Sequence, residues 1–241
     1  MTLSRESPTA LFEKAWNLYE SIALGNHMSH REIYTILTGR LQQLHGSGGY
    51  SMLDLGCGDA RFLEPCFSAS RPASYHGVDL SEPALELARK RMAHLARTDW
   101  SRQDLLEHLR QGRAAYDVIF SGYALHHLAT PAKREVMLCA ARGLRPGGRL
   151  LLVDVIRRQG QSREAYIAAY LDRIRNAWSG LTPEMVSEAC AHVAAFDFPE
   201  TFEELDAMAS QGGFQPGILH AEFGPHALME FTPDPTRLHP R

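Results

Sequence analysis

Cysteine is scarce. The 241 residues hold four, at Cys57, Cys66, Cys139 and Cys190, with no CxxC pair. No disulfide framework is expected from that pattern, and the thiols read as reduced and mostly buried. The histidines lack ligand spacing with cysteines or acids, so no metal is expected. The excess of acids over bases is small too. A net charge of −3 and a pI near 6.5 leave no basic footprint, which argues against a nucleic-acid partner. No apolar run approaches the length of a membrane span. The first thirty residues lack the charged start and apolar core of a signal peptide. A cytoplasmic protein with no membrane partner is expected. The nicotinamide fingerprint GxGxxG is missing as well, because the third residue after Gly58 is Arg61.

What is present centres on Tyr50 to Arg61, YSMLDLGCGDAR. An apolar, strand-like run gives way to Gly56 and Gly58, and a helix is expected to open there. Glycine tolerates positive φ and lets backbone approach a ligand where a Cβ would collide. The acid of Asp54-x-Gly56-x-Gly58 precedes the glycines, which suits a ligand carrying a cation rather than a pyrophosphate. A second acid, Asp79, ends the next strand-like run about twenty residues on, where it can hold ribose hydroxyls.

Around that stretch, strands are expected near 50–55, 74–79, 98–103, 116–121 and 149–155. Helices are expected near 58–69, 82–97, 104–112 and 131–143. The alternation implies a parallel sheet with helices on both faces and ligands at the carboxyl ends of the strands. Two helices precede it. Leu11 to Ala23 carries Phe12, Ala15, Trp16, Tyr19, Ile22 and Ala23 on one face, and His30 to Leu44 carries Ile33, Ile36, Leu37, Leu41 and Leu44. After Val155 three helices follow, near 162–178, 183–195 and 202–210. Two strands, 214–223 and 226–231, then form a hairpin through Gly224-Pro225. The expected fold is α/β: a Rossmann-like, doubly wound seven-stranded sheet with an antiparallel C-terminal hairpin, N-terminal helices and a helical insertion before the last two strands. One domain is expected over 1–241. Its parts are a helical cap at 10–46, a core at 50–155, the insertion at 160–198 and a closing helix and strand pair at 199–232.

Five segments, LDLGCGDARF, GVDLS, QDLLE, YDVIFSGYALHHL and LRPGGRLLLVD, occur in that order. Together they resemble the successive motifs of class I S-adenosylmethionine (SAM) dependent methyltransferases. The resemblance covers roughly Ser51 to Val155 and departs at Ala60, where many members have a third glycine. It implies SAM as cofactor and a seven-stranded sheet. It also implies cofactor contacts from Asp54, Gly56, Cys57, Gly58, Asp79, Leu80, Asp104, Leu105, Ser121 and Tyr123. Asp54 would anchor the ammonium, Asp79 the ribose and Asp104 the adenine amino group, with Leu80 packed on the ring. Asp104 also suits the N-cap of the helix that follows it. Arg61 pairs with the cofactor carboxylate or is a solvated residue.

Methyl transfer mainly asks for alignment, with a base only where the nucleophile must lose a proton. His126 and His127 are the candidates for that base, and the alternative for each is a structural hydrogen bond. Tyr19, His27, His30, Tyr166, Tyr170 and Arg173 are candidate substrate contacts, since aromatics with polar tips and one cation suit a small ring or acid. By resemblance the junction Asn26–His30 closes over cofactor and substrate. The expected function is methyl transfer to an oxygen or nitrogen of a small-molecule acceptor. A homodimer is left open. Two alternatives stand beside it: a carboxy-SAM synthase-like enzyme of tRNA modification, with Arg173 or Arg175 as the needed cation, and a SAM-binding partner subunit without catalysis.

Overall fold

The strand that carries the glycine turn is buried along its whole length, and the rest of the sheet grows outward from it. The computed structural model describes residues 18–112 and 115–237. Met52, Leu53 and Leu55 of β1 (Ser51–Leu55) are at most 1% exposed, so the strand is covered on both faces. The other strands are β2 (Ser74–Asp79), β3 (Thr98–Arg102), β4 (Tyr116–Gly122), β5 (Leu144–Val155), β6 (Ile218–Phe223) and β7 (His226–Phe231). They form one seven-stranded sheet in the order β3-β2-β1-β4-β5-β7-β6. The first five strands pair in parallel, and β7 runs antiparallel between β5 and β6. The strand order reverses between β1 and β4, and the carboxyl end of that pair is where an open α/β sheet makes its crevice.

The helices are α1 (described over 18–24), α2 (His30–His45), α3 (Glu82–Arg91), α4 (Leu105–Gln111), α5 (Thr130–Gly143), α6 (Arg163–Ala177), α7 (Pro183–Phe196) and α8 (Phe202–Gly212). Several starts have a local cause. Ser81 caps α3 with Pro83 in its first turn, Asp104 caps α4, and Thr201 with Glu204 closes a capping box on α8. One core joins Leu53, Ile119 and Leu150 to Val136 and Met137 of α5 and Leu205 and Met208 of α8. The other joins Met52, Tyr75, Phe120 and Leu151 to Ile33, Leu37 and Leu41 of α2.

The chain divides into two compact units. One comprises Arg31–Gln161 and Phe198 onward, and holds the sheet. The other is helical, and its described part is 18–30 with Ser162–Asp197. Within the helical unit the imidazole of His27 stacks on the indole of Trp178, 5.0 Å between centroids, and His27 Nε2 lies 2.9 Å from the Ser179 carbonyl. Tyr170 meets Trp178 edge-on and stacks against Tyr166. Asn26 and Ser29 both have left-handed backbone, with φ of 53° and 55°. No helix among the described residues is long and apolar enough to cross a membrane.

Several expectations are corrected. No α-helix spans 58–69: Ala60 is left-handed and Pro65 sits in the first turn of a short 3-10 segment, Glu64–Ser68, which removes an amide donor. The helix expected over 82–97 stops at Arg91, where Met92 leaves helical geometry. The last hairpin begins at Ile218 rather than 214, because Phe214 turns into the core and Pro216 cannot donate to a ladder. Arg145–Gly148 is a bulge inside a longer β5, with register passing from Tyr116↔Leu144 to Val118↔Arg149 around left-handed Gly147. Ile36 of the α2 stripe faces out, at 37% exposed. Phe12, Ala15 and Trp16 of the first expected helix lie outside the described residues.

Candidate active site

Three acids stand at the carboxyl ends of three neighbouring strands. Asp54 is the fourth residue of β1, Asp79 the last of β2, and Asp104 lies two residues beyond β3. The register sets Asp54 beside Gly77, so the acids of β1 and β2 are two residues out of step. Between them runs the turn Gly56-Cys57-Gly58, whose glycines have φ of +70° and +52°. A Cβ on Gly56 would come within 2.6 Å of the Ala124 Cβ, so this glycine lets the loop after β4 approach the loop after β1. A Cβ on Gly58 would meet nothing within 4 Å, so that side of the turn is open.

Asp54 is 2% exposed. Its Oδ2 accepts the Tyr75 hydroxyl at 2.6 Å, while its Oδ1 is buried with no hydrogen-bond partner among the described residues. Burial pushes the carboxyl up, the Tyr75 hydroxyl opposes that, and the charge of Asp79 adds to it, leaving the group at about 7. Asp79 is half-buried and accepts the Gly58 amide on Oδ2 and the Ser81 amide on Oδ1, each at 2.8 Å. A carboxylate oxygen has two acceptor positions, so both keep one for a hydroxyl. Asp104 Oδ1 takes the Leu106 and Glu107 amides at 2.9 and 3.0 Å as the α4 cap. Leu105 opens that helix, half-buried. Leu80, beside Asp79, is 66% exposed, an apolar face left in water. Cys57 is buried, and burial pushes its thiol up. Arg61 is engaged by Asp59, with Nε at 2.9 Å from Oδ2.

The end of β4 is built differently. Ser121 is buried and donates to the Leu55 carbonyl at 2.9 Å. Tyr123 is left-handed with φ 54°, held by its amide to Val153 O at 2.7 Å, and its ring meets His226 edge-on. A left-handed tyrosine is strained by about 1–3 kcal/mol, and such strain gathers at functional loops. His126 is buried: its amide donates to Asp154 Oδ2 at 2.9 Å and its Nδ1 lies 2.5 Å from Asp154 Oδ1. His127 is exposed beside it. Behind this pair lies a charged cluster. The Lys133 ammonium, 1% exposed, donates to the Phe198 carbonyl and lies 3.3 Å from Glu200 Oε1, which also accepts from Thr130 at 2.7 Å. Arg157 completes it, 3.5 Å from Glu200 and 2.6 Å from Glu204.

The residues of the sheet unit named from the sequence are thus gathered at its strand ends. In the helical unit His27, His30, Tyr166 and Tyr170 are buried, Arg173 is half-buried and Tyr19 is exposed. Sequence reasoning missed Tyr75, Asp154, Lys133 and Glu200. Asp154 closes the segment LRPGGRLLLVD but was given no role there, and only strand register and long-range folding bring the four to the site.

The donor set fits the cofactor that the motifs imply. An orphaned buried oxygen on Asp54 calls for a donor, the space around Gly58 leaves room, Asp79 retains acceptor capacity, and Leu80 offers an apolar shelf.

Comparison with known proteins agrees. Residues 53–150 match the family model described as "Methyltransferase domain". The 27-O-demethylrifamycin SV methyltransferase of Amycolatopsis mediterranei is 30% identical over 206 residues, covering 81% of this chain and 72% of that one. A methyltransferase of Anoxybacillus flavithermus described as uncharacterized is 26% identical, covering 78% and 84%. Among solved structures, human N-acetylserotonin methyltransferase in complex with SAM superposes with a TM-score of 0.59 at 15% identity. That match covers 97% of this chain and 60% of the human one, and it speaks for the fold alone. The chain belongs to the class I SAM-dependent methyltransferases.

Proposed function

We propose that the protein transfers a methyl group from SAM to an oxygen or nitrogen of a small-molecule acceptor, with the cofactor held by the acids of β1, β2 and β3. The observation that carries this reading is the trio Asp54, Asp79 and Asp104 around a glycine turn with one open side. When bound, SAM supplies an already activated sulfonium methyl, so the chain's task is placement. Asp54 holds the ammonium, Asp79 the ribose hydroxyls, and Asp104 with the Leu105 amide the adenine edge. Leu80 covers the adenine ring. Gly56, Cys57 and Gly58 give the backbone its close approach, and Ser121 and Tyr123 bound the far side.

His126 is the proton acceptor where the acceptor group must be deprotonated. Asp154, 2.5 Å from its Nδ1, orients the ring for that work. His127 is the second candidate. Acceptor contacts are assigned to Tyr19, His27, His30, Tyr166, Tyr170 and Arg173 of the helical unit. The name of the relative, 27-O-demethylrifamycin SV methyltransferase, supports the acceptor class.

Calorimetric titration with SAM and with S-adenosylhomocysteine tests the cofactor site. Wild type binds both. Asp79→Ala weakens both at least about tenfold, because hydrogen bonds to a charged group are worth roughly 1.5–3 kcal/mol. Unchanged affinity in the variant removes the ribose assignment, and no binding to wild type removes the whole reading.

A further inference from the structure

Tyr75 has no place in the motifs, yet among the described residues it is the hydrogen-bond donor to the Asp54 carboxylate. It lies on β2 opposite Met52, two residues from the Gly77 that faces Asp54. The ring is 1% exposed and wedged by other rings: Phe67 meets it edge-on at 6.0 Å and Trp100 tilts against it at 5.4 Å. Gly77 makes that wedge feasible, since a Cβ there would come within 2.6 Å of the Trp100 ring and 3.1 Å of the Cys57 sulfur. A ring so packed has few alternative rotamers, so its hydroxyl is a fixed point 2.6 Å from Asp54 Oδ2.

The other oxygen of Asp54 is the anomaly. A buried carboxylate oxygen without a partner costs free energy and calls for an explanation. The charge that acts on Asp54 is that of a second acid, Asp79, which disfavours an anion beside this oxygen and favours a cation. We propose that Tyr75 is a positioning residue for the cofactor's amino-acid end: it ties down one oxygen of Asp54 and thereby presents the other to the cofactor's ammonium. The inference rests on the reading above that Asp54 serves the ammonium. Tyr75 itself touches no ligand atom. Cys57, the other titratable group at this corner, is a buried thiol that meets the Tyr75 hydroxyl and stays neutral, so the charge that faces the ligand is that of Asp54.

The consequence is selective. Removing the Tyr75 hydroxyl should affect only ligands that carry an ammonium. The test is calorimetric binding of two probes to the full chain: S-adenosylhomocysteine, which keeps the amino-acid end, and 5′-methylthioadenosine, which keeps the adenosine and lacks that end. Tyr75→Phe preserves the packed ring. It should weaken S-adenosylhomocysteine about three- to tenfold, the worth of one hydrogen bond, and leave methylthioadenosine within about twofold. Asp54→Asn should show the same selectivity with a larger loss, and the double variant should bind no more weakly than Asp54→Asn alone, because the two side chains act as one unit.

Equal weakening of both probes by Tyr75→Phe would mean that the tyrosine only packs the sheet, and it overturns the proposal. So does unchanged S-adenosylhomocysteine affinity, or a Tyr75→Phe loss that adds in full to that of Asp54→Asn. Failure of the underlying reading looks different: there, Asp54→Asn itself leaves S-adenosylhomocysteine affinity unchanged or weakens both probes alike.

Discussion

Two aspartates are buried at carboxyl ends of the same sheet, Asp54 on β1 and Asp154 on β5, at 2% and 4% exposed. Their surroundings differ completely. Asp154 Oδ1 faces His126 Nδ1 and the Val155 amide, Oδ2 accepts the His126 amide, and the Lys133 ammonium lies behind. Burial pushes its carboxyl up, but His126, the Val155 amide and Lys133 outweigh that and hold it below the usual range. Asp54 receives one tyrosine hydroxyl and faces a second acid, and burial takes it up to about 7. The first carboxylate is a closed unit that fixes the loop after β4. The second is left incomplete by the protein, which is the condition of a group awaiting a ligand.

The largest effect should come from breaking the closed member. Asp154→Ala removes the acceptor of the His126 amide and of its Nδ1 and the negative charge that Lys133 faces. Loss of one member of a buried pair costs about 3–5 kcal/mol, read as a shift in the urea midpoint. The pH dependence has a definite sign. The Asp154 carboxyl is held below its unfolded value of 3.8, so its stabilisation is present above that value and is lost as pH falls through the depressed one. The gap between wild type and Asp154→Asn should therefore close in strong acid. A small and pH-independent cost would show that Asp154 is not the anchor of this loop.

Asp54 should behave in the opposite way. Its folded-state value, about 7, lies above the ordinary 3.8, so the protonated form favours folding and that contribution is lost as pH rises toward 7. Asp54→Asn removes the buried charge. The ligand-free variant should then be more stable than wild type above pH 7, by at most on the order of 4 kcal/mol, with the difference shrinking toward pH 4. Saturating S-adenosylhomocysteine should reverse the ranking, since wild type gains more from the ligand. Thermal melts at pH 8, with and without ligand, read both effects. If Asp54→Asn is less stable than wild type in both, the carboxylate is a structural group like Asp154 and the contrast dissolves.

Sequence pattern made one of these acids visible and hid the other, for physical reasons. Asp54 precedes two glycines that must be left-handed, and Asp79 follows at the spacing of one β-α-β step, so backbone chemistry marks both. The alternation of strand and helix, the caps at Ser81 and Asp104 and the closing hairpin were legible from the same short-range rules. Asp154 gains its meaning only from His126, 28 positions away, and Glu200 from Lys133 at a distance of 67. Tyr75 meets Asp54 through strand register, which periodicity does not determine across a parallel pair. Local rules also misled, most plainly after the first strand: a glycine turn leading into a helix is a common unit, but left-handed Ala60 and Pro65 replace that helix with a short 3-10 segment.

The smallest predicted effects test the difference between open and closed at one turn. Ala60 has φ of +57° and is 5% exposed, packed in the core that holds Ile33 and Tyr75. Ala60→Gly relieves about 1 kcal/mol of backbone strain but gives up a buried methyl of about 0.8 kcal/mol and frees the unfolded chain by a further 0.4–1 kcal/mol. The terms nearly cancel, so stability should move by under about 1 kcal/mol and S-adenosylhomocysteine affinity should not move. Gly58→Ala makes the converse change. Its added methyl meets no protein atom within 4 Å, so folding loses only the cost of a left-handed alanine, about 1 kcal/mol. If the open side of Gly58 belongs to the cofactor, the same methyl should cut ligand affinity at least about tenfold. Calorimetry on the two variants separates these cases, and a Gly58→Ala protein that binds as wild type does would place the ligand on another face of the turn.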